Sequence, residues 1–151
     1  MEQSIKQLDA QDHRALALWA ADCAEHVLPH FEERHGEDDR PRNAIEAGRA
    51  WARGELTVGQ ARAAAFAAHA AARTTDHEAA RAAARAAGHA AATAHVADHA
   101  RHAVAYAVAA AAAAVSSTEA APAAAAERDW QGRRLPERAR PERNHETTRD
   151  T

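Results

Sequence analysis

The chain has 151 residues, of which 46% are hydrophobic but only 4% aromatic, so alanine supplies most of the apolar fraction. This length is typical of one domain with a single core. The net charge of −3 is too small to indicate a nucleic-acid or membrane partner, and the single cysteine, Cys23, excludes an intramolecular disulfide and a cysteine-based zinc site.

The distribution of apolar residues disfavours two further classes, secreted proteins and membrane proteins. No charged start followed by an apolar run marks a signal peptide. The longest apolar run, residues 103–115, is mostly alanine and shorter than the roughly 20 residues that span a bilayer. We therefore expect a cytoplasmic protein without membrane segments.

The first helix is predicted from an apolar stripe that includes Cys23. Asp9 or Asp12 is expected to cap its start, because a short acceptor side chain satisfies free N–H groups of the first turn. Pro29 lacks a backbone donor and should end or kink the helix. A further turn is possible before Gly36.

Residues 37–42 read Glu-Asp-Asp-Arg-Pro-Arg and predict a second helix that begins near Arg40 or Pro41. Carboxylates directly before the helix face its positive end, and proline is favoured in the first turn. Two interpretations of this corner stay open. It is either a solvated capping cluster or a recognition edge formed by Asp38, Asp39, Arg40 and Arg42.

Capping boxes predict the next helix starts. Gly54 should end the second helix, and Thr57 with Gln60 should start the third. Thr75 with Glu78 should start a fourth at about residue 76. Because the connections are short, consecutive helices are expected to pack antiparallel.

An alanine field covers residues 61–115 and has helix as its most stable local structure. An unbroken helix from the fourth start would be about 60 Å long at 1.5 Å per residue, so we expect a break with Asp98 as a new N-cap. A genome rich in G and C would also favour alanine and arginine, so composition alone gives the interrupting residues no role. They are Arg62, His69, Arg73, Arg81, Arg85, His89, His95, His99 and His102.

The last helix is predicted from about Pro122 to Arg134, with Trp130 in the core, after a capping-box pattern at Ser116 and Glu119. Residues 136–151 are highly charged and lack large apolar side chains, so we expect a disordered tail after one helical domain at 1–135. The fold class is therefore all-α, with five or six helices packed as antiparallel hairpins. The expected large core residues are Leu16, Trp19, Val27, Leu28, Phe31, Ile45, Trp51, Leu56, Phe66, Tyr106 and Trp130.

Catalytic and metal chemistry have weak support in the sequence. The pairs His26/His30, His95/His99 and His99/His102 have helical spacing that can bind a transition metal, but no HExxH or Glu-x-x-His motif completes a ligand set. Neither a glycine-rich phosphate loop nor a nucleophile motif is present. We expect no catalytic residues, no metal and no cofactor.

Three sequence blocks carry a family resemblance. Residues 38–55 read DDRPRNAIEAGRAWARGE, residues 67–73 AAHAAAR and residues 84–96 ARAAGHAAATAHV, with Trp130-Gln131 shortly before Leu135-Pro136. The pattern resembles the all-helical immunity-protein family of bacterial polymorphic-toxin systems, the immunity-five-like group. The resemblance implies a non-catalytic protein that binds and neutralises a cognate protein toxin.

Two functional hypotheses follow. In the first, the acidic residues 1–60, with 12 carboxylates against 7 Lys and Arg, cover a basic toxin cleft. The motif residues could equally form internal ties, with Asp39 pairing Arg42 or an arginine of the alanine field. In the second, the protein binds a small molecule or metal in an internal polar pocket. Convergence of the histidines with Arg73 and Arg81 would favour the pocket, which would be lined by His69, His89, His95, His99 and His102.

Overall fold

The computed structural model describes residues 9–137, and within them every regular element is a helix. The elements are α1 (Ala10–Val27), α2 (Pro29–Glu32), α3 (Arg40–Ala52), α4 (Val58–Arg73), α5 (Glu78–Ala92), α6 (His99–Ala113) and α7 (Ala120–Arg134). The predicted all-α class is confirmed, and the helix beyond the expected six is the single turn α2. The predicted tail lies outside the described residues from residue 138 onward.

The predicted boundaries of the helices up to the start of α4 agree closely with the structure. Asp9 accepts a hydrogen bond from the backbone N–H of Asp12, which caps α1. Thr57 and Gln60 form both bonds of the capping box at α4. Gly54 follows α3 with φ of 78°, a conformation that glycine adopts without a side-chain clash.

The predicted capping box at α5 is wrong. The helix begins at Glu78 instead of residue 76, because the Nδ1 atom of His77 accepts the N–H of Ala80. Thr75 is buried, and its hydroxyl accepts the N–H of His77 while its carbonyl accepts two bonds from Arg81. The threonine therefore orders the turn before the helix.

The break near Asp98 is confirmed, but its carboxylate does not cap α6. Asp98 stands at the N-cap position, yet its side chain binds Arg101 at 2.9 Å. The next helix, α7, starts two residues before the predicted Pro122, at Ala120. No side-chain cap forms there, since the hydroxyl of Ser116 bonds instead to that of Thr118.

Helix α5 lies at the centre of the molecule and contacts α1, α2, α3, α4 and α6. Nine of its residues are buried, and all nine are alanine or glycine. Small side chains allow close backbone approach: a Cβ on Gly48 of α3 would lie 3.2 Å from the carbonyl oxygen of Ala90. The core is therefore built from backbone proximity as much as from large side chains.

The large residues are distributed differently from expectation. Val27, Leu28, Phe31 and Ile45 are buried as predicted, whereas Phe66 is 65% exposed. The inner positions of α4 are alanines, and a phenyl ring would hold the helices farther apart there. The other predicted core residues are only partly buried; they are Leu16, Trp19, Trp51, Leu56, Tyr106 and Trp130.

Polar residues connect α7 to the domain. Trp130 is half-buried and stacks on His26 of α1 with ring centroids 3.7 Å apart, while Glu127 and Gln131 are the side chains that reach the interior. Glu127 accepts a bond from His26 at 2.8 Å. The amide of Gln131 donates to the carbonyl of Val104 at 2.9 Å.

Candidate binding site

Four of the six histidines in the alanine field converge. His69 comes from α4, His89 from α5, and His99 and His102 from α6. The ring centroid of His89 lies 4.9 Å from His69, 5.2 Å from His99 and 5.3 Å from His102. The break at residues 93–98 makes this possible, because it reverses the chain and brings the start of α6 beside the end of α5.

His89 is the centre of this histidine cluster, which we define as His69, His89, His99 and His102. One face of its ring stacks on Tyr106, with centroids 5.3 Å apart and planes 8° from parallel. Its Nδ1 atom lies 3.0 Å from Nδ1 of His99. A hydrogen bond between two Nδ1 atoms requires one ring to be protonated there and the other not, so the two rings hold different tautomers.

Gly88 makes room for His69. A Cβ at residue 88 would lie 2.7 Å from two atoms of the His69 ring. On the other side, Nη1 of Arg85 lies 3.4 Å from Nδ1 of His69. Because a guanidinium only donates, Nδ1 accepts and the ring carries its proton on Nε2. His69 is thus held in a neutral tautomer.

Three rings of the cluster, those of His69, His89 and His99, resist protonation. Burial, together with the charges of Arg85 and Arg73, lowers the pKa of His69. Burial and the neighbouring histidines lower the pKa of His89 to about 4. The pKa of His99 is lowered for the same two reasons. These three rings are therefore uncharged at neutral pH, which removes the like-charge repulsion that such a cluster would otherwise create.

A cleft of about 230 Å³ opens beside the cluster, between α4 and the segment that joins α5 to α6. His95 is exposed at this cleft and stays outside the cluster itself. Phe66 stands at the same cleft with the guanidinium of Arg62 5.9 Å from its ring centroid. The lining consists of Arg62, Ala65, Phe66, His69, Ala92, His95 and His99.

The arginine that reaches the histidines is Arg85. Arg73 is exposed at the end of α4, and Arg81 is bound to the carbonyl of Thr75. The convergence that would favour a pocket is therefore seen for most of the histidines, with Arg85 in place of Arg73 and Arg81. The sequence spacing indicates this arginine, because Arg85 lies four residues before His89 and therefore on the same face of the helix.

The Asp38–Arg42 corner is made of local ion pairs. Arg40 donates to both carboxylate oxygens of Asp38, at 2.9 and 2.7 Å, and Arg42 donates to both of Glu32, at 2.9 and 2.6 Å. These pairs hold the pKa of Asp38 and of Glu32 below the usual range. Asp39 occupies the N-cap position of α3 without a side-chain bond, so the suggested Asp39–Arg42 tie is wrong.

Arg49 is the centre of a second cluster with carboxylates, two turns further along α3. Its guanidinium binds Asp22 at 2.9 Å, Glu25 at 2.8 Å and Glu46 at 2.8 Å, and its side chain is only 16% exposed. The bonds to Glu25, Asp22 and Glu46 raise the pKa of Arg49, and Arg49 lowers that of Glu25. Arg49 therefore ties α3 to α1.

The other candidate chemistry is also placed by the structure. Within residues 9–137, no group of three or more His, Cys, Asp or Glu side chains is arranged to hold a metal ion. Burial raises the pKa of the Cys23 thiol to about 12, so this group is not a nucleophile at neutral pH. In the same described part of the chain, no helix is long and apolar enough to cross a bilayer.

These features describe a small all-α protein with an alanine core, a neutral histidine cluster and an arginine–carboxylate edge. The chain belongs to the family described as Imm-5 like putative immunity protein, whose family model matches residues 6–138. The resemblance seen in the sequence is thereby confirmed. Neither a curated protein nor a solved structure matches the chain.

Proposed function

We propose that this protein is a non-catalytic immunity protein that binds and neutralises a cognate bacterial toxin. The observation that carries the proposal is the family match, which covers residues 6–138. The inert Cys23 thiol supports a role without nucleophilic chemistry. Neutralisation then rests on an interface that covers the toxin.

The acidic edge around the start of α3 has the chemistry for such an interface. Glu33, Glu37 and Asp39 are exposed, and none of their carboxylates has an ion-pair partner among residues 9–137. Free carboxylates attract a basic cleft and accelerate its association. The ion-paired Asp38, Arg40 and Arg42 hold the backbone of this edge in place.

The proposed contact surface includes a second region, at the cleft beside the histidine cluster. His95 is exposed there, next to His69 and His99. Arg73, His89 and His102 lie next to this surface and complete the proposed set of contact or supporting residues.

The first test is co-expression with the product of the neighbouring gene, as the candidate toxin. We expect the intact chain to restore growth and the purified proteins to form a complex in calorimetry. Killing that persists despite soluble expression of the chain would contradict the proposal.

The second test asks whether the acidic edge makes the contact. The variant Glu37→Gln with Asp39→Asn should slow association about tenfold at low salt and lose this difference at high salt. The matched control, Asp76→Asn with Glu78→Gln, removes the same charge at the α4–α5 turn. Equal association rates for the two variants would exclude the acidic edge as the contact.

A further inference from the structure

No acidic residue lines the cleft beside the histidine cluster. Two arginines and five histidines lie in it or directly behind it. Arg62 has no carboxylate partner within residues 9–137, and neither does Arg85. Positive charge is thus present beside a concave surface without an internal counterion.

Two hydrogen-bond donors at the cleft are uncommitted. The guanidinium of Arg62 contacts the ring of Phe66 and has no hydrogen-bond partner in the described part of the chain. His99 bonds through Nδ1 to His89; in the tautomer in which Nδ1 of His99 accepts, the N–H is on Nε2, which has no partner in the same residues. A guanidinium and an imidazole N–H are the groups that bind a carboxylate with charge-assisted hydrogen bonds.

The remaining walls are apolar. Ala65 and Ala92 form part of the lining, and the ring of Phe66 stands 65% exposed at its side. A cavity of about 230 Å³ lies below the roughly 300 Å³ at which drug-sized sites begin. Its size and walls fit one flat ring better than a larger ligand.

We propose that this cleft binds a small aromatic carboxylate, with the carboxylate held by Arg62 and His99 and the ring packed beside Phe66. The proposal goes beyond toxin binding and does not depend on it. A concave site with a few convergent polar groups favours a small molecule over a protein partner, whose contact surfaces are flatter. The neutral rings of His69 and His89 form a fixed base behind the site.

A bound anion should also change the protonation of His99. The groups that face His99 are His89 from α5, His102 and Asp98 from α6, His95 from the joining segment, and His69 with Arg62 from α4. Apart from Asp98, all of them oppose a positive charge on His99. A carboxylate at Nε2 would raise the pKa of His99, so binding should tighten as the pH falls toward 5.

Benzoate is the probe for the test, with the full chain and imidazole resonances followed by NMR. We expect saturable shifts of His99 and His95 with a Kd of about 1 mM and no shift of His26, which lies in α1 and bonds to Glu127 of α7. Benzamide, which has the same shape without the charge, should bind about tenfold more weakly. Equal affinities for the two probes would overturn the proposal.

Variants locate the site. Arg62→Gln and Phe66→Ala should each weaken benzoate binding about tenfold, while Arg128→Gln, which removes an exposed arginine of α7, should leave it unchanged. Because Arg62 and Phe66 are exposed, both variants should fold. An acetylated Asp-Phe amide presents a carboxylate and an aromatic ring as a partner protein would. If it binds about tenfold more tightly than benzoate or better, the site recognises a protein, and the proposal of a small-molecule ligand is contradicted.

Discussion

The two halves of the molecule use arginine in opposite ways. Every arginine of α3 is paired with at least one carboxylate, whereas no arginine of α4 or α5 is, within residues 9–137. At α3, in the first half (residues 9–57), charge connects helices and is neutralised. In α4 and α5, in the second half (residues 58–137), Arg62 and Arg85 stand beside histidines and an open cleft. The same residue type therefore serves the fold in one region and stays available for a ligand in the other.

Among the variants that remove a charge, the largest effect is expected at the central arginine of the first half. Arg49→Met leaves Asp22, Glu25 and Glu46 close together without their shared cation, so we expect a loss of about 2 kcal/mol in the free energy of unfolding. Urea titration measures it. Arg62→Met in the second half should change stability by less than about 0.5 kcal/mol. Equal losses would remove the distinction between the two halves.

The halves should also lose stability in different pH ranges. Below pH 6.5 the unfolded chain takes up protons on its histidines, whereas His69, His89 and His99 resist protonation when folded because their pKa values are lowered. The free energy of unfolding therefore decreases as the pH is lowered, until the pH reaches the folded pKa of His89, about 4. We expect a loss of about 2 kcal/mol over this range.

The carboxylates of the first half affect the free energy of unfolding at lower pH than the histidines do. The pKa values of Glu25 and Glu32 are lowered by their arginines, so their stabilisation is complete above the ordinary carboxyl pKa and is lost only below about pH 4.5. His89→Phe should flatten the slope between pH 6.5 and 5, and Glu32→Gln should leave it intact. Thermal unfolding at a series of pH values measures both, and identical slopes in the two variants would contradict the assignment.

Predictability from the sequence also differs between the halves. Caps and prolines mark most helix ends, and the large residues around Phe31 and Ile45 define the buried face of the first half. In the alanine field, nearly every position is small and apolar, so no periodicity indicates which face is buried. His69 meets His89, and Arg85 contacts His69, only because of long-range packing between helices. The sequence pattern does not encode that packing.

The misplaced Phe66 has the same cause. A large apolar residue is ordinarily a core residue, and this expectation is correct for Phe31. It is wrong where alanine already fills the helix interface, since close backbone approach leaves no space for a phenyl ring. The start of α5 was missed for a more local reason, because His77 caps through its ring nitrogen where Thr75 was the expected cap.

Gly88 offers a test of how tightly the second half is packed. Gly88→Ala would place its Cβ 2.7 Å from the His69 ring, so we expect a net loss of about 1 kcal/mol, despite alanine's better helix propensity. Gly132→Ala in α7 meets no atom within 4 Å and should gain up to about 1 kcal/mol. Urea unfolding compares the two, and His69→Ala should restore the stability of Gly88→Ala. A gain in both glycine variants would mean that the ring of His69 moves aside freely.

The smallest effect on stability is expected at Phe66, and it sharpens the comparison most. The chain has two phenylalanines, one in each half. Phe31→Ala should cost about 3–5 kcal/mol because its ring is 0% exposed, whereas Phe66→Ala should cost less than about 0.5 kcal/mol. Urea unfolding of both variants checks the ratio. A loss above about 1 kcal/mol at Phe66 would make its ring part of the fold, and its exposure would then no longer support a binding role.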